Sequence, residues 1–309
     1  MPRLGVALFC TLALILTLAG CSTPSTTAPA PLPTIAEPTR GQTSAPSGAV
    51  TKVLIFIEEN HSLSQMKSDM PYTLGLAQQF GYATHYTAIR HPSLPNYIAI
   101  VGGQTYGITD DGNPSNNPVN GASVFGQAIA AGKTAMVYAE GMPKNCATTS
   151  GGSNYAVKHN PWAYFTAERG DCQKFDVPLD QLNKAITNGE LPNVGMVVPN
   201  LCHDAHDCPL RTADTWFRGW MTKIFAGSDW KSGHLAVVLT ADEDDNSAGN
   251  TVLTVVIHPS QVANVVPSPI THYSLTRLYE EVAGTPYLFD AATARSMATA
   301  FGLPLRGQS

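Results

Sequence analysis

The chain has 309 residues, with 18 Lys and Arg against 23 Asp and Glu and a formal net charge of −5. Charged residues make up 13% and hydrophobic residues 43%, a balance that excludes both a charge-rich disordered chain and a disulfide-stapled miniprotein. So few basic side chains also exclude the basic stripe on which duplex binding depends, and no nucleic-acid partner is expected.

The N-terminus reads as an export signal. Arg3 precedes an apolar stretch over residues 4–19, too short and too one-sided for a resident spanning helix. Leu18-Ala19-Gly20-Cys21 resembles a bacterial lipobox, which implies cleavage before Cys21 and lipidation of its thiol. Residues 22–49 hold six prolines among Ser, Thr, Ala and Gly, a composition that cannot bury enough apolar surface to offset its ordering entropy. The expected organisation is a signal at 1–20, a lipidated tether at 21–50 and one domain at 51–309, held outside the cytoplasm as a membrane-anchored monomer. Four cysteines remain in that domain, and the pairs Cys146–Cys172 and Cys202–Cys208 close the shortest loops.

Within the domain, near-continuous apolar runs at 53–57, 135–138, 194–198, 235–239 and 252–257 predict strands buried on both faces. Helix-like stretches at 72–80, 124–131, 213–225 and 274–282 separate them. Such alternation predicts an α/β fold, with a mostly parallel sheet covered by helices on both sides. Polar clusters follow the strands: Glu58-Glu59-Asn60, Glu140, Pro199-Asn200 with a His/Asp run, and Asp242 to Asp245. Ligands of open α/β sheets bind beyond the strands' carboxyl ends, so these clusters mark an active site.

The acids of residues 242–245 repel one another at a partly buried strand end unless a cation offsets them. With Glu59 and the amide of Asn60 they make an oxygen donor set suited to a hard divalent ion, Mg²⁺, Ca²⁺ or Mn²⁺. Ser93 sits in the proline-stiffened stretch His91-Pro92-Ser93-Leu94-Pro95, where an activated hydroxyl can serve as nucleophile. His203 and His206 offer a phosphate contact or a proton, and Lys158 and His159 a positive charge for an anionic substrate. His272 opens a helix-like stretch, where anions are favoured. There is no G-x-S-x-G elbow.

Taken in order, Glu58-Glu59-Asn60, His91-Pro92-Ser93-x-Pro95-Asn96-Tyr97, Lys158-His159-x-Pro161-Trp162, Pro199-Asn200 with His206-Asp207, Thr240-x-Asp242-Glu243-Asp244-Asp245 and His272-Tyr273 resemble the bacterial phosphoesterase family of acid phosphatases and phospholipases C. The resemblance spans about residues 52–285, and within the family it is strongest to the small secreted actinobacterial acid phosphatases. It implies an alkaline-phosphatase-like three-layer α/β/α sandwich and hydrolysis of phosphate monoesters, phosphoinositides among them. Ser93 falls at the nucleophile position, Glu59, Asn60, Asp242 and Glu243 at metal positions, and His206 and His272 at catalytic positions. Lys158, His159, His91 and Asp207 fall at substrate-contacting ones. Ala241 stands where the family carries an aromatic. Two rival functions share these motifs: a phospholipase C-type diesterase, and a lipoprotein that binds phosphate or phospholipid without turnover.

Overall fold

The computed structural model describes residues 48–306; the expected signal, Cys21 and most of the tether lie outside them. In chain order the first half contains β1 (Lys52–Glu58), α1 (Leu63–Asp69), α2 (Pro71–Gln79), β2 (Gly81–Ala83), β3 (Tyr86–Thr87), α3 (Ser93–Gly102), α4 (Val124–Ala130) and β4 (Ala135–Ala139). Next come α5 (Arg169–Phe175), β5 (Asp176–Pro178), α6 (Asp180–Asn188), β6 (Val194–Val198), α7 (Leu210–Ala226), α8 (Ser228–Lys231) and β7 (Leu235–Ala241). The chain closes with β8 (Thr254–Ile257), β9 (Asn264–Val266), β10 (Ile270–Thr271), α9 (His272–Ala283) and α10 (Met297–Phe301).

Eight strands form one sheet in the order β5-β4-β6-β1-β7-β8-β2-β9. The five from β5 to β7 are parallel, β8 runs antiparallel to β7 and to β2, and β9 is parallel to β2. β1 is central, with Val53 opposite Val194 on one side and Ala236 on the other. Its Val-Leu-Ile-Phe-Ile run is completely buried, which is why it carries no polar alternation.

Helices α3, α4, α9 and α10 pack together as one layer, and α1, α2, α6, α7 and α8 as the other. Phe56 projects from β1 onto α7, where its ring meets those of Trp216 and Phe217 edge-on. The protein is therefore a three-layer α/β/α sandwich, as expected. Ala49 and Val50, left in the tether by the sequence reading, already belong to the domain. The Ala49 carbonyl lies 3.0 Å from His234 Nδ1, and Val50 N donates to the Pro304 carbonyl at 2.7 Å.

Helix α3 is the element the sequence concealed. Pro92 is its N-cap and Pro95 lies in its first turn, where a missing N–H breaks no intrahelical bond. All ten residues are buried, so the helix is apolar all round rather than amphipathic. Gly103 ends it at φ 69°, where a Cβ would stand 2.5 Å from the Leu288 carbonyl oxygen; only glycine fits that approach. Both expected disulfides, Cys146–Cys172 and Cys202–Cys208, are present. Among the described residues, no helix is long and apolar enough to cross a membrane.

Candidate active site

The parallel register brings the ends of β1, β4, β6 and β7 to one edge of the sheet. Backbone bonds tie these ends together: Asp242 N donates to the Glu58 carbonyl at 3.0 Å and Glu59 N to the Asp204 carbonyl at 2.7 Å. Asn60 takes a left-handed φ of 51°, which asparagine tolerates, and its N–H donates to Asp242 Oδ1 at 3.2 Å.

Ser93 opens α3 and is 2% exposed. Its hydroxyl donates to Glu59 Oε2 at 3.0 Å. The Tyr97 hydroxyl, one helical turn on, donates to the other Glu59 oxygen. His159 stacks on the Tyr97 ring and lies between two carboxylates, its Nε2 3.2 Å from Glu59 Oε2 and its Nδ1 3.1 Å from Asp204 Oδ2. Burial alone would lower the His159 pKa, but Glu59 and Asp204 outweigh it and raise it to about 10. Burial would likewise raise Glu59, yet the His159 charge holds it below its ordinary value. The two form a buried ion pair.

Lys158 lies beside them, its Nζ 3.0 Å from Asp111 Oδ2. Asp111 also accepts from Leu94 N in the first turn of α3, at 2.9 Å. Asn96 fixes the turn before Ser93: its Oδ1 accepts from Ile89 N and Arg90 N, and its Nδ2 donates to Glu243 Oε2 at 3.2 Å.

The first three acids after β7 are buried, whereas Asp245 is exposed. Asp242, Glu243 and Asp244 are each at most 5% exposed, and Asp242 Oδ2 has no hydrogen-bond partner. Burial, with Glu59 and Glu243 nearby, raises Asp242 well above its ordinary value; burial, with Glu59 and Asp111, raises Glu243 to about 8. Buried acids that resist ionisation, one with an orphaned oxygen, are a chemistry that a bound divalent cation would offset. At this edge, among the described residues, the groups whose possible ligand atoms lie within 4.8 Å of one another are those of Glu59, His159 and Asp204; Asp242 and Glu243 are not among them.

Three residues of the expected site make contacts that bear on the roles expected of them. His272 is completely buried at the start of α9, with Nε2 2.6 Å from the Asp242 carbonyl oxygen and Nδ1 2.9 Å from the Tyr86 hydroxyl. Burial lowers its pKa to about 4, against the pull of that carbonyl. Both of its nitrogens are thus engaged within the protein, one of them on the backbone of the Asp242 loop. The two nitrogens of His91 lie 2.9 Å from Glu243 Oε2 and 3.2 Å from Asp244 Oδ1, on the acid loop. Asp207 is a carboxylate, repelled by phosphate; its Oδ1 lies 2.7 Å from His206 Nδ1. That contact leaves Nε2 of His206 free, on a side chain 31% exposed beside His159.

Tyr97, Asp204 and Asp111 were given no role by the sequence reading. Tyr97 follows Ser93 by four residues, a spacing that signals a shared helix face once α3 is recognised as a helix. Asp204 stood in the His/Asp run unassigned; nothing local distinguishes it from Asp207. Asp111 lies in a loop with no sequence signal.

The loop carrying Lys158 and His159 is anchored from below. Asn160 Nδ2 donates to both oxygens of Asp176, at 3.1 and 2.9 Å. Burial raises the Asp176 pKa from 3.8 to about 8, against the pull of Asn160. A raised carboxyl contributes stability that is complete below the unfolded pKa and lost as pH rises through the folded one. Asp176→Asn should therefore melt with the parent near pH 4 and a few degrees above it near pH 8.5, at ~2–4 °C per kcal/mol. A variant melting lower at pH 8.5 would count against this account.

Comparison with known proteins agrees with the geometry. The phosphoesterase family model matches residues 56–275. A phosphatidylinositol-3-phosphatase of Mycobacterium tuberculosis is 30% identical over 240 residues, covering 76% of this chain and 77% of that protein. An acid phosphatase of Aspergillus fumigatus is 29% identical over 69% of this chain, which spans 50% of the fungal protein. In fold, a protein of the alkaline phosphatase superfamily from Vibrio parahaemolyticus superposes with a TM-score of 0.54 at 10% identity, covering 79% of this chain and 70% of that one. The buried serine, the acid clusters at strand ends and the match across most of the domain lead to one conclusion: this chain belongs to the phosphoesterase family.

Proposed function

We propose that this protein is an exported phosphomonoesterase that uses Ser93 as its nucleophile. The observation that carries the reading is the Ser93 hydroxyl, held at a buried helix start against Glu59 Oε2, with Lys158 and His159 on one side and the acids of residues 242–244 on the other. Ser93 Oγ attacks phosphorus in line with the leaving oxygen. The new Oγ–P bond forms as the P–O bond to the alcohol breaks, and the hydroxyl proton passes toward Glu59 Oε2. Lys158 neutralises charge on the phosphoryl oxygens, while His159 keeps Glu59 paired. A divalent cation bound by Glu59, Asn60, Asp242 and Glu243 would supply Lewis-acid stabilisation of the developing charge.

His206, oriented by Asp207, protonates the departing alcohol through Nε2. It then takes a proton from the water that cleaves the phosphoserine, which returns phosphate and free Ser93. The 30% identity to a phosphatidylinositol-3-phosphatase supports placing phosphoinositides among the substrates. The lipobox at Cys21 supports a membrane-anchored location outside the cytoplasm.

Phosphate release from an aryl monoester and from its diester tests the reaction class. Turnover of the monoester is expected; cleavage of the diester alone would move the assignment to phospholipase C-type chemistry. The two histidines separate by leaving group. His206→Gln should slow an alkyl phosphate far more than an aryl phosphate, whose leaving oxygen needs little protonation. His272→Gln should slow both equally, by ~10–100-fold, as outer-shell positioning residues do. A leaving-group dependence at His272 would restore it as the acid.

A further inference from the structure

A lysine does not hold its charge in one place unaided. The ammonium sits on a flexible four-carbon stem, and fixing it at one point costs rotamer entropy. Lys158 stands in the single 3-10 turn Val157–His159, and the charges of Glu59 and Asp242 both attract it from the interior. Among the described residues its only ion pair is with Asp111, Nζ to Oδ2 at 3.0 Å.

The other oxygen of Asp111 reaches the helix of the nucleophile. Oδ1 accepts from Leu94 N at 2.9 Å, one of the first-turn donors of α3 that have no partner within the helix. Leu94 is the neighbour of Ser93. One carboxylate therefore ties the lysine to the residue beside the reacting hydroxyl.

Asp111 is itself held. Asp110 Oδ1 accepts from Gly112 N at 2.8 Å and from Asn117 Nδ2 at 2.7 Å, which folds the loop around Asp111. The buried Tyr164 donates its hydroxyl to the Gly112 carbonyl at 3.0 Å. Tyr164 follows Lys158 by six residues, so the segment that carries the lysine also pins the loop that carries its partner.

We propose that Asp111 is a positioning residue for phosphoryl transfer, one that holds the Lys158 ammonium at the start of α3. The proposal rests on the phosphomonoesterase reading, which brings phosphorus to Ser93 and gives Lys158 its electrostatic role. A charge stabilises a transition state most when it needs no rearrangement as that state forms. Without Asp111 the lysine keeps its charge but is free to turn toward Glu59 and Asp242 or out to solvent. A plain helix cap would behave differently, since it would steady α3 whatever stood at position 158.

A double-mutant cycle in the whole protein, read on p-nitrophenyl phosphate, separates the two. Asp111→Asn keeps an amide oxygen for Leu94 N and removes the charge that holds the lysine. It should lower kcat/KM by ~10-fold, the loss of one charge-assisted contact. Lys158→Ala should cost ~10²-fold, and adding Asp111→Asn to it should cost less than about twofold more. Equal losses from Asp111→Asn in both backgrounds would leave Asp111 a cap alone and overturn the proposal, as would a single variant that melts far below the parent. Unchanged or faster turnover in Asp111→Asn, or full activity in Lys158→Ala, would overturn it too. If the parent fails to hydrolyse the aryl phosphate, the reaction reading fails, and the same cycle is read by calorimetric titration with inorganic phosphate. Binding that Asp111→Asn weakens ~10-fold in the parent, and no further in Lys158→Ala, would support the positioning role. Absent binding, or equal weakening in both backgrounds, would overturn it.

Discussion

Alanine at position 93 is expected to lower kcat/KM for an aryl phosphate by ~10⁴-fold or more, the scale on which removal of a nucleophile acts. The fold should survive. Alanine is a better helix former than serine, so α3 keeps its first turn. Glu59 Oε2 loses the hydrogen bond from Ser93 at 3.0 Å but keeps the charge contact with His159 Nε2 at 3.2 Å, so the buried carboxylate stays ion-paired. The stability cost is that of one ordinary hydrogen bond, ~1 kcal/mol. Activity within about tenfold of the parent would remove Ser93 from the mechanism. Acid-quenched digestion of the parent during turnover, read by mass spectrometry, should show phosphate on the peptide carrying Ser93 and not on its alanine counterpart.

Chelation is expected to have the second largest effect. Lewis-acid stabilisation contributes several kcal/mol at a phosphoryl centre, so loss of the cation should cost ~10²–10³-fold in turnover. Stability should follow with a definite sign. In the cation-free protein Asp242 is raised well above its ordinary value and Glu243 to about 8, burial being the first cause of each. Their contribution is complete below the ordinary carboxylate range and fades as pH rises through 8. The chelated protein should therefore melt progressively lower from pH 4.5 to pH 8.5. Mg²⁺, Ca²⁺ or Mn²⁺ should restore the loss at pH 8 and do little at pH 4.5, where protons occupy the same oxygens. At a hundredfold excess over Kd the gain is ~2.7 kcal/mol, or roughly 5–10 °C for a domain of this size. Full activity in chelator with a flat melting profile would remove the cation from both catalysis and folding.

The layered fold and the edge that bears the site were legible in the chain because both depend on short-range pattern. β1, β6 and β7 are unbroken apolar runs because each has helices on both faces, and the polar residues that follow them mark the strand ends where a parallel sheet places its chemistry. The three-residue strands β2, β5 and β9 are too short to show a period. Pro92 and Pro95 made α3 look like a turn, although a first turn tolerates both.

Residue type, spacing and the family resemblance pointed to Ser93, Glu59, Asp242, Glu243 and His159 as candidates. Their partners were beyond reach. Tyr97 behind Glu59, Asp204 behind His159 and Asp111 beside Lys158 come together only when α3, the 110–112 loop and the segment after β6 converge on the end of β1. The same packing decides roles. His206 and His272 are the same side chain, but one lies in the open with Nε2 free, and the other is buried with both nitrogens bound. Sequence determines which groups are available near a strand end, because that is set by local order along the chain. Which nitrogen can give up a proton, and which carboxylate must hold one, depends on solvent exclusion and on charges contributed by distant segments, and these exist only once the layers have packed.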